Sequence, residues 1–520
     1  MLLTGRTSIL GGAFLLTVTN LFLRLISILF NVYLSDQIGA AGLGLLQLIS
    51  TVSIFAALVG SSGVRVAAMF LSAEEFGRRR LGGVRAAMSC CLTYGTIISS
   101  LVGVATWFLA DYFAASWLGD TRAALSIRCM GLFLPFSCLC GIMTGYFTAC
   151  SRIRQLVVIE IAERLLSMAL TVFLLLYWAK GDLERSCCGI LLGSSLGATA
   201  DFFLLYRMYR KDMKEVKTDK SLHMGSRLLR LCIPLALNDY LRSGLNTAEQ
   251  LLIPYGLARY GGSTEQAMAD YGTIHAMVFP ILMFPAAVLY ALSDLLVPEL
   301  SRANAMGRKL RIVDLTDKCL RLCMLFASGV AGFLFVSANE LGLRIYGSAD
   351  AGRYLKIFAP MVLMLYLDAI VDGMLKGLAE QVSCVRYNTL TSAMDVLFLF
   401  LLLPRYGIAA YIFSFLVTHA VNLWLSLRRL LLVSRHRFKL REFCKPLLCL
   451  LFSVLLSTLF PYRAAKGIIF LLLLTASFMI SDALLPRDRA WLSRVLHNSM
   501  NAVPKKNLLN KKNNHISIDK

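Results

Sequence analysis

Fifteen ionisable residues stand inside long apolar stretches of this sequence: Arg24, Arg65, Arg128, Glu160, Glu163, Arg164, Asp201, Asp239, Arg242, Glu249, Asp294, Asp368, Asp372, Lys376 and Asp395. A charge at the centre of a bilayer costs at least ~2.5–3.5 kcal/mol on insertion scales, so each of these needs a partner or a wet cavity. Some can neutralise each other along one helix. Glu160 and Arg164 are four residues apart, as are Asp372 and Lys376, and Asp239 and Arg242 are three apart. That spacing puts side chains on one face. Arg24 and Arg65 have no acidic neighbour at helical spacing.

Two kinds of chemistry follow. A guanidinium donates two parallel hydrogen bonds and so suits a phosphate oxygen pair. Arg24 and Arg242, with Arg65, are therefore candidates for holding an anionic group in a cavity. The polar stretch NDYLRSGLN, with Asn238 and Asn246, is a candidate cavity lining. Asp239, Asp294, Asp368 and Asp372 are candidates for gating or for coupling to a cation. Plainer readings exist for each: Arg65 stands two turns from a loop and can snorkel, and the close pairs can be internal neutralisation. His275 and His419 read as hydrogen-bonded packing residues rather than proton relays. The cysteines are scattered, with no CxxC and no zinc spacing, and Cys319 and Cys323 on one helix face read as small apolar side chains. No GxxxxGK[ST] motif and no nucleophile–base arrangement is present, so no cofactor, metal or enzymatic reaction is expected.

These residues need elements to carry them. The 520-residue chain is 57% hydrophobic and only 16% charged, against about 45–50% and about 25% in soluble domains. Apolar runs of about 20 residues, the length that crosses a bilayer as helix, recur throughout. Fourteen spans are expected, near 8–34, 44–71, 86–110, 125–149, 156–179, 186–207, 231–256, 269–293, 317–338, 354–377, 387–403, 408–427, 446–461 and 467–485. The first is too long for a signal peptide and contains Arg24. Pro280, Pro285 and Pro298 should bend the eighth. The net charge of +22 does not indicate nucleic acid, because the basic residues lie in short loops. Roughly 37 Lys and Arg fall on one side, Arg78-Arg79-Arg80 among them, against roughly 9 on the other. The rich side should be cytoplasmic and should face anionic lipid headgroups.

The expected organisation is a six-helix lobe over 1–207, a cytoplasmic linker over 208–230, a second lobe over 231–427 and a cytoplasmic loop over 428–445. Two further helices over 446–485 and a basic, disordered cytoplasmic tail over 486–520 complete it. The lobes look like a parallel repeat. AAMFLSAEEFGRRRL (Ala67 to Leu81) matches LLVPELSRANAMGRKL (Leu295 to Leu310), which sets Arg65 opposite Asp294 as a possible charge gate. A substrate path would lie between the lobes.

The sequence also has a familiar look. LSDQIGAAGLGLLQL (Leu34 to Leu48), then SSGVRVAAMFLSAE (Ser61 to Glu74), ADYGTIHAMVFPILMFPAAVLYALSDLLVPELSRA (Ala269 to Ala303) and LLPRYGIAAYIFSFLVTHAVNLWLSLRRL (Leu402 to Leu430) stand in order along the chain. Together they resemble the stage V sporulation protein B-like and MurJ-like polysaccharide-exporter branch of the MOP superfamily, whose fold MATE drug exporters share. The resemblance implies an all-α polytopic protein with two pseudo-symmetric lobes. It implies flipping of an undecaprenyl-linked saccharide, such as lipid II, from the cytoplasmic to the outer leaflet by alternating access. The setting would be the cell membrane, as a monomer, with H+ or Na+ as candidate coupling ion. Arg24 and Arg242 are reminiscent of basic cavity residues in MurJ-like members. Arg65 stands where that branch would place the proline of "SGIP", so the resemblance gives it no role. An excess of cavity arginines would favour an anionic cargo. The competing expectation is a cation-coupled exporter of organic cations, whose cavity would be dominated by acids such as Asp368, Asp372 and Asp395. A membrane scaffold would instead show a dry, tightly packed interface.

Overall fold

The computed structural model describes residues 9–150, 152–217, 224–261, 263–435, 440–459 and 466–481. Among them the chain is helical throughout. The first half holds α1 (Ile9–Ser61), α2 (Val64–Gly77), α3 (Leu81–Phe108), the single turn α4 (Ala110–Tyr112), α5 (Ala124–Ala149), α6 (Ile153–Leu174) and α7 (Leu183–Asp212). The second holds α8 (Met224–Arg259), α9 (Thr264–Gly272), α10 (Phe279–Met283), α11 (Ala286–Ala305), α12 (Lys309–Tyr346), α13 (Ala349–Phe358), α14 (Val362–Gly377), α15 (Gln381–Tyr406) and α16 (Ile408–Ser434). Two helices follow, α17 (Leu440–Thr458) and α18 (Lys466–Ile480). Eight helices among the described residues are long and apolar enough to cross a membrane, or nine if the bent pair α9–α11 is one span. Each of the fourteen expected spans falls on helix over most of its length. The chain is a polytopic all-α membrane protein.

Local sequence explains the breaks. Gly39 takes φ 68° inside α1, at the expected link between the first two spans. That left-handed conformation is cheap only for glycine. The second span breaks again at Ser62 and Gly63, with φ 43° and 73°, just before Arg65. The eighth span bends by 59° between Met283 and Ala286, beside Pro285, because a proline removes one ladder hydrogen bond. Pro298 lies within α11, which continues past it as helix. Gly347, with φ 62°, ends α12, and the Ser348 hydroxyl accepts from the Ala351 amide at 3.2 Å to start α13.

The lobe boundaries expected at 207 and 427 fall inside helices, since α7 runs to Asp212 and α16 to Ser434. Polar residues there project as continued helix rather than loop. The tail over 486–520 lies outside the described residues. At the start of α8, Met224, Leu228 and Cys232 pack into a core with Val64, Met88 and Phe202 of the first half. The extra helices α17 and α18 pack on α12, where Gly332 leaves room for the Phe470 ring.

The halves meet at both ends. Near Gly39, α1 and α9 touch backbone to backbone. A Cβ at Gly44 would lie 2.1 Å from the Met268 carbonyl oxygen, and one at Gly272 would lie 2.2 Å from the Ala40 oxygen. At the opposite, arginine-rich end, Arg227 of α8 pairs with Glu74 and with Glu75, the latter at 3.2 Å, and Arg78 also binds Glu74 at 2.7 Å. Glu75 is fully buried. Arg227 keeps Glu74 as a partner when Glu75 is removed, so Glu75→Ala should lower stability by only about 1–2 kcal/mol, the net worth of one charge-assisted hydrogen bond; thermal unfolding in detergent measures the loss. Further in, the Tyr240 hydroxyl meets Ser62 Oγ at 2.9 Å and the Val59 carbonyl at 3.3 Å.

Candidate translocation cavity

A chamber of about 930 Å³ opens beside the aromatic core of the second half. One wall is α8, with Asp239, Arg242, Ser243, Asn246, Glu249 and Gln250. The bent span contributes His275, Phe279, Met283, Tyr290 and Ser293. From α14 come Asp368, Asp372 and Lys376, from α15 Asn388, Thr391 and Asp395, and from α16 Tyr411, Phe415, Thr418, His419 and Asn422. Among the described residues the first half supplies only Leu58. The expected path between the two halves is thus displaced into the second half. Where the halves meet they meet tightly, through Gly44, Gly272 and Tyr240, and the polar residues line the bundle that keeps room for them.

The charge of the chamber also corrects the sequence reading. Among the described residues, Asp239, Glu249, Asp368, Asp372 and Asp395 face it against two bases, Arg242 and Lys376. The expected excess of arginines is absent because only Arg242 of the three candidates lines this space. Arg24 borders an adjoining gap of about 280 Å³ with Ser27, Asn31, Pro280, Phe284 and others. Its guanidinium donates to the Met283 carbonyl at 2.9 Å and lies 5.3 Å from the Tyr290 ring centroid. Met283 and Tyr290 line both spaces, so gap and chamber share a wall. Arg65 is exposed and lies against Gly141 of α5, away from the chamber. The side chains of Asn238 and Asp294 lie outside the described residues, and with them the Arg65–Asp294 gate.

None of the three expected close pairs is an ion pair among the described residues. Asp372 instead accepts from the Asn388 amide at 3.3 Å, and Asp368 accepts from the Asn422 amide at 2.9 Å. Arg164 lines a small cavity of about 260 Å³ in the first half, and Arg128 pairs with Asp111 at 2.5 Å. Helical spacing allows an Asp372–Lys376 contact, but the neighbouring helix α15 supplies Asn388 to Asp372 instead. Glu249 and Asp395, from α8 and α15, lie within hydrogen-bonding reach of each other, and Ser414 donates to Asp395. Two carboxylates this close need a proton or a cation between them. Sequence reasoning missed this juxtaposition, since 146 positions separate the two. His275 is hydrogen-bonded to the Tyr411 hydroxyl at 3.2 Å, within a stack of Tyr271, Phe279 and Phe415.

Comparison with known proteins places this architecture. The chain is 23% identical over 415 residues to stage V sporulation protein B of Bacillus subtilis (strain 168), covering 78% of this chain and 80% of that protein. It is 18% identical over 372 residues to sporulation protein YkvU of the same organism, covering 70% and 82%. Among solved structures it resembles the lipid II flippase MurJ in an inward closed conformation, with TM-score 0.69, 14% identity and 92% and 100% coverage of the two chains. A multidrug resistance MATE transporter in an inward-facing conformation matches with TM-score 0.59 and 14% identity, over 80% and 96%. These likenesses establish a shared fold. The profile of the family described as "Polysaccharide biosynthesis protein" matches residues 9–304, more than half of the sequence, and the chain belongs to that family.

Proposed function

We propose that this protein is a flippase that carries a lipid-linked saccharide precursor, of the undecaprenyl diphosphate type, across the cell membrane by alternating access. The observation that supports it most is the pairing of a large polar chamber with an adjoining gap that holds Arg24, the two sharing Met283 and Tyr290. An amphipathic cargo needs both: room for a hydrated head and a side opening for its tail. Arg24, with Arg242 on the chamber wall, would hold the diphosphate through bidentate hydrogen bonds. The gap lies between α1 and the bent span, where the tail would remain in lipid. Asn246 on the chamber wall, with Asn238 eight positions before it in sequence, would contact the head.

The carboxylates serve the cycle. Asp239, Asp368 and Asp372, with the Glu249–Asp395 pair, are the groups we assign to uptake of a coupling H+ or Na+, and Asp294 with Arg65 to a gate. The two six-helix lobes would rock so that the Gly44–Gly272 contact is made in one state and parted in the other, with the basic end cytoplasmic and near anionic headgroups. A second reading, export of organic cations coupled to H+ or Na+, draws on one observation: acids outnumber bases on the chamber wall.

One assay separates the two. Purified protein is placed in vesicles with a fluorescent undecaprenyl diphosphate-linked disaccharide, and exposure at the outer face is read by quenching with a membrane-impermeant reductant. The flippase reading expects protein-dependent exposure of the lipid. Protection of the vesicles from a fluorescent organic cation, with no lipid exposure, would support the second reading instead.

A further inference from the structure

Two cysteines of the first half meet thiol to thiol. Cys129 stands in the second turn of α5 and Cys188 in the second turn of α7, and the Cys188 thiol donates to Cys129 Sγ at 3.3 Å. Cys188 is fully buried, whereas Cys129 is partly exposed. Both helices start in a charged, exposed rim. Arg128, beside Cys129, pairs with Asp111 at 2.5 Å, and Arg185, three residues before Cys188, pairs with Asp182 at 3.6 Å. The thiols therefore lie within about one turn of that rim. This is the end of the lobe opposite Arg78-Arg79-Arg80, because α3 starts beside those arginines and ends at Phe108, ahead of α5. A disulfide holds its sulfurs about 2.0 Å apart, so closing the gap takes about 1.3 Å of movement, within reach of a small rotation of either side chain.

We infer that Cys129 and Cys188 are a modification site: a reversible disulfide that ties α5 to α7 at this end of the first lobe. The exposed thiol reacts first. Cys129, as thiolate, attacks the S–S bond of an oxidant, a small disulfide such as oxidised glutathione or a thiol–disulfide oxidoreductase. One thiol leaves, and Cys129 keeps the other half as a mixed disulfide. Cys188 then loses its proton and attacks Cys129 Sγ, and the second thiol leaves. The two protein thiols give up two electrons to the oxidant, and their two protons end on the two departing thiols. The orientation proposed above puts this end outside the cytoplasm, where disulfides persist. The compartment rests on that orientation; the chemistry does not. Both helices belong to one lobe, so the link braces that lobe and leaves the Gly44–Gly272 contact free to part.

The full chain in detergent is incubated with oxidised glutathione, alkylated with N-ethylmaleimide under denaturing conditions and digested. Cys129 and Cys188 should escape alkylation and appear in one linked peptide pair that dithiothreitol separates. The linked protein should unfold several degrees higher than the reduced protein, since a cross-link restricts the unfolded chain. Cys129→Ser should abolish both effects. Cys187→Ala, at the neighbouring buried position, should keep both. Glutathione left on Cys129 with no linked pair would overturn the inference, as would alkylation of both thiols after oxidation. Protection that a chelator alone removes would mean a soft metal ion on the two thiolates, and would overturn it too. In intact cells, a membrane-impermeant maleimide should label Lys180→Cys, an exposed position at this end. Labelling only after lysis would refute the orientation, while the cross-link in the purified protein would stand.

Discussion

Replacing Gly272 with valine pulls α1 and α9 apart. No rotamer relieves this substitution, because the atoms a Cβ would strike are backbone: the Ala40 oxygen at 2.2 Å and the Gly44 nitrogen at 2.5 Å. Overpacking usually costs about 1–3 kcal/mol, and a contact between two main chains sits at the upper end. The closed arrangement at this end should therefore lose roughly tenfold or more in population. Spin labels placed by Gln37→Cys and Gln266→Cys, both exposed positions flanking the contact, report it. The distance distribution should lengthen and broaden in Gly272→Val. Transport should fall with it, since a carrier that cannot close one end cannot complete a cycle. Gly44→Val should behave alike, as it meets Met268 from the other side at 2.1 Å. An unchanged distribution in both variants would show that this contact does not hold the end shut.

Arg24→Ala should slow exposure of a diphosphate-linked lipid by about 10–100-fold, the worth of one or two charge-assisted hydrogen bonds. Arg24→Lys should recover part of the rate, since it keeps the charge and loses the planar fork. The side chain also holds the Met283 carbonyl at the bend of the eighth span, so alanine could act through the bend alone. Competition separates these causes. If Arg24 grips phosphate, excess soluble undecaprenyl-diphosphate head analogue should inhibit the wild type more strongly than Arg24→Ala. If Arg24 only props the bend, both should be inhibited equally.

Several features were legible before any fold was known. Hydropathy placed the spans because lipid leaves the backbone no alternative to helix. Pro285 marked a bend, since a missing N–H is a property of a single residue. The charged positions were identified as exceptional by cost alone. What could not be read was their company. Asp372 and Lys376 satisfy the spacing for an ion pair, yet Asp372 binds Asn388. Arg24 looked like a residue of the central cavity but faces a side gap.

The sequence by itself determined that this is a many-span helical membrane protein whose buried charges demand water or partners, because insertion energies act on each residue locally. Only the tertiary structure decided where that water lies and what sign its walls carry. Among the described residues, five acids from three helices and two bases gather around one chamber in the second half. Their meeting depends on how helices far apart in the chain pack against one another, and helical spacing within a segment holds no record of that.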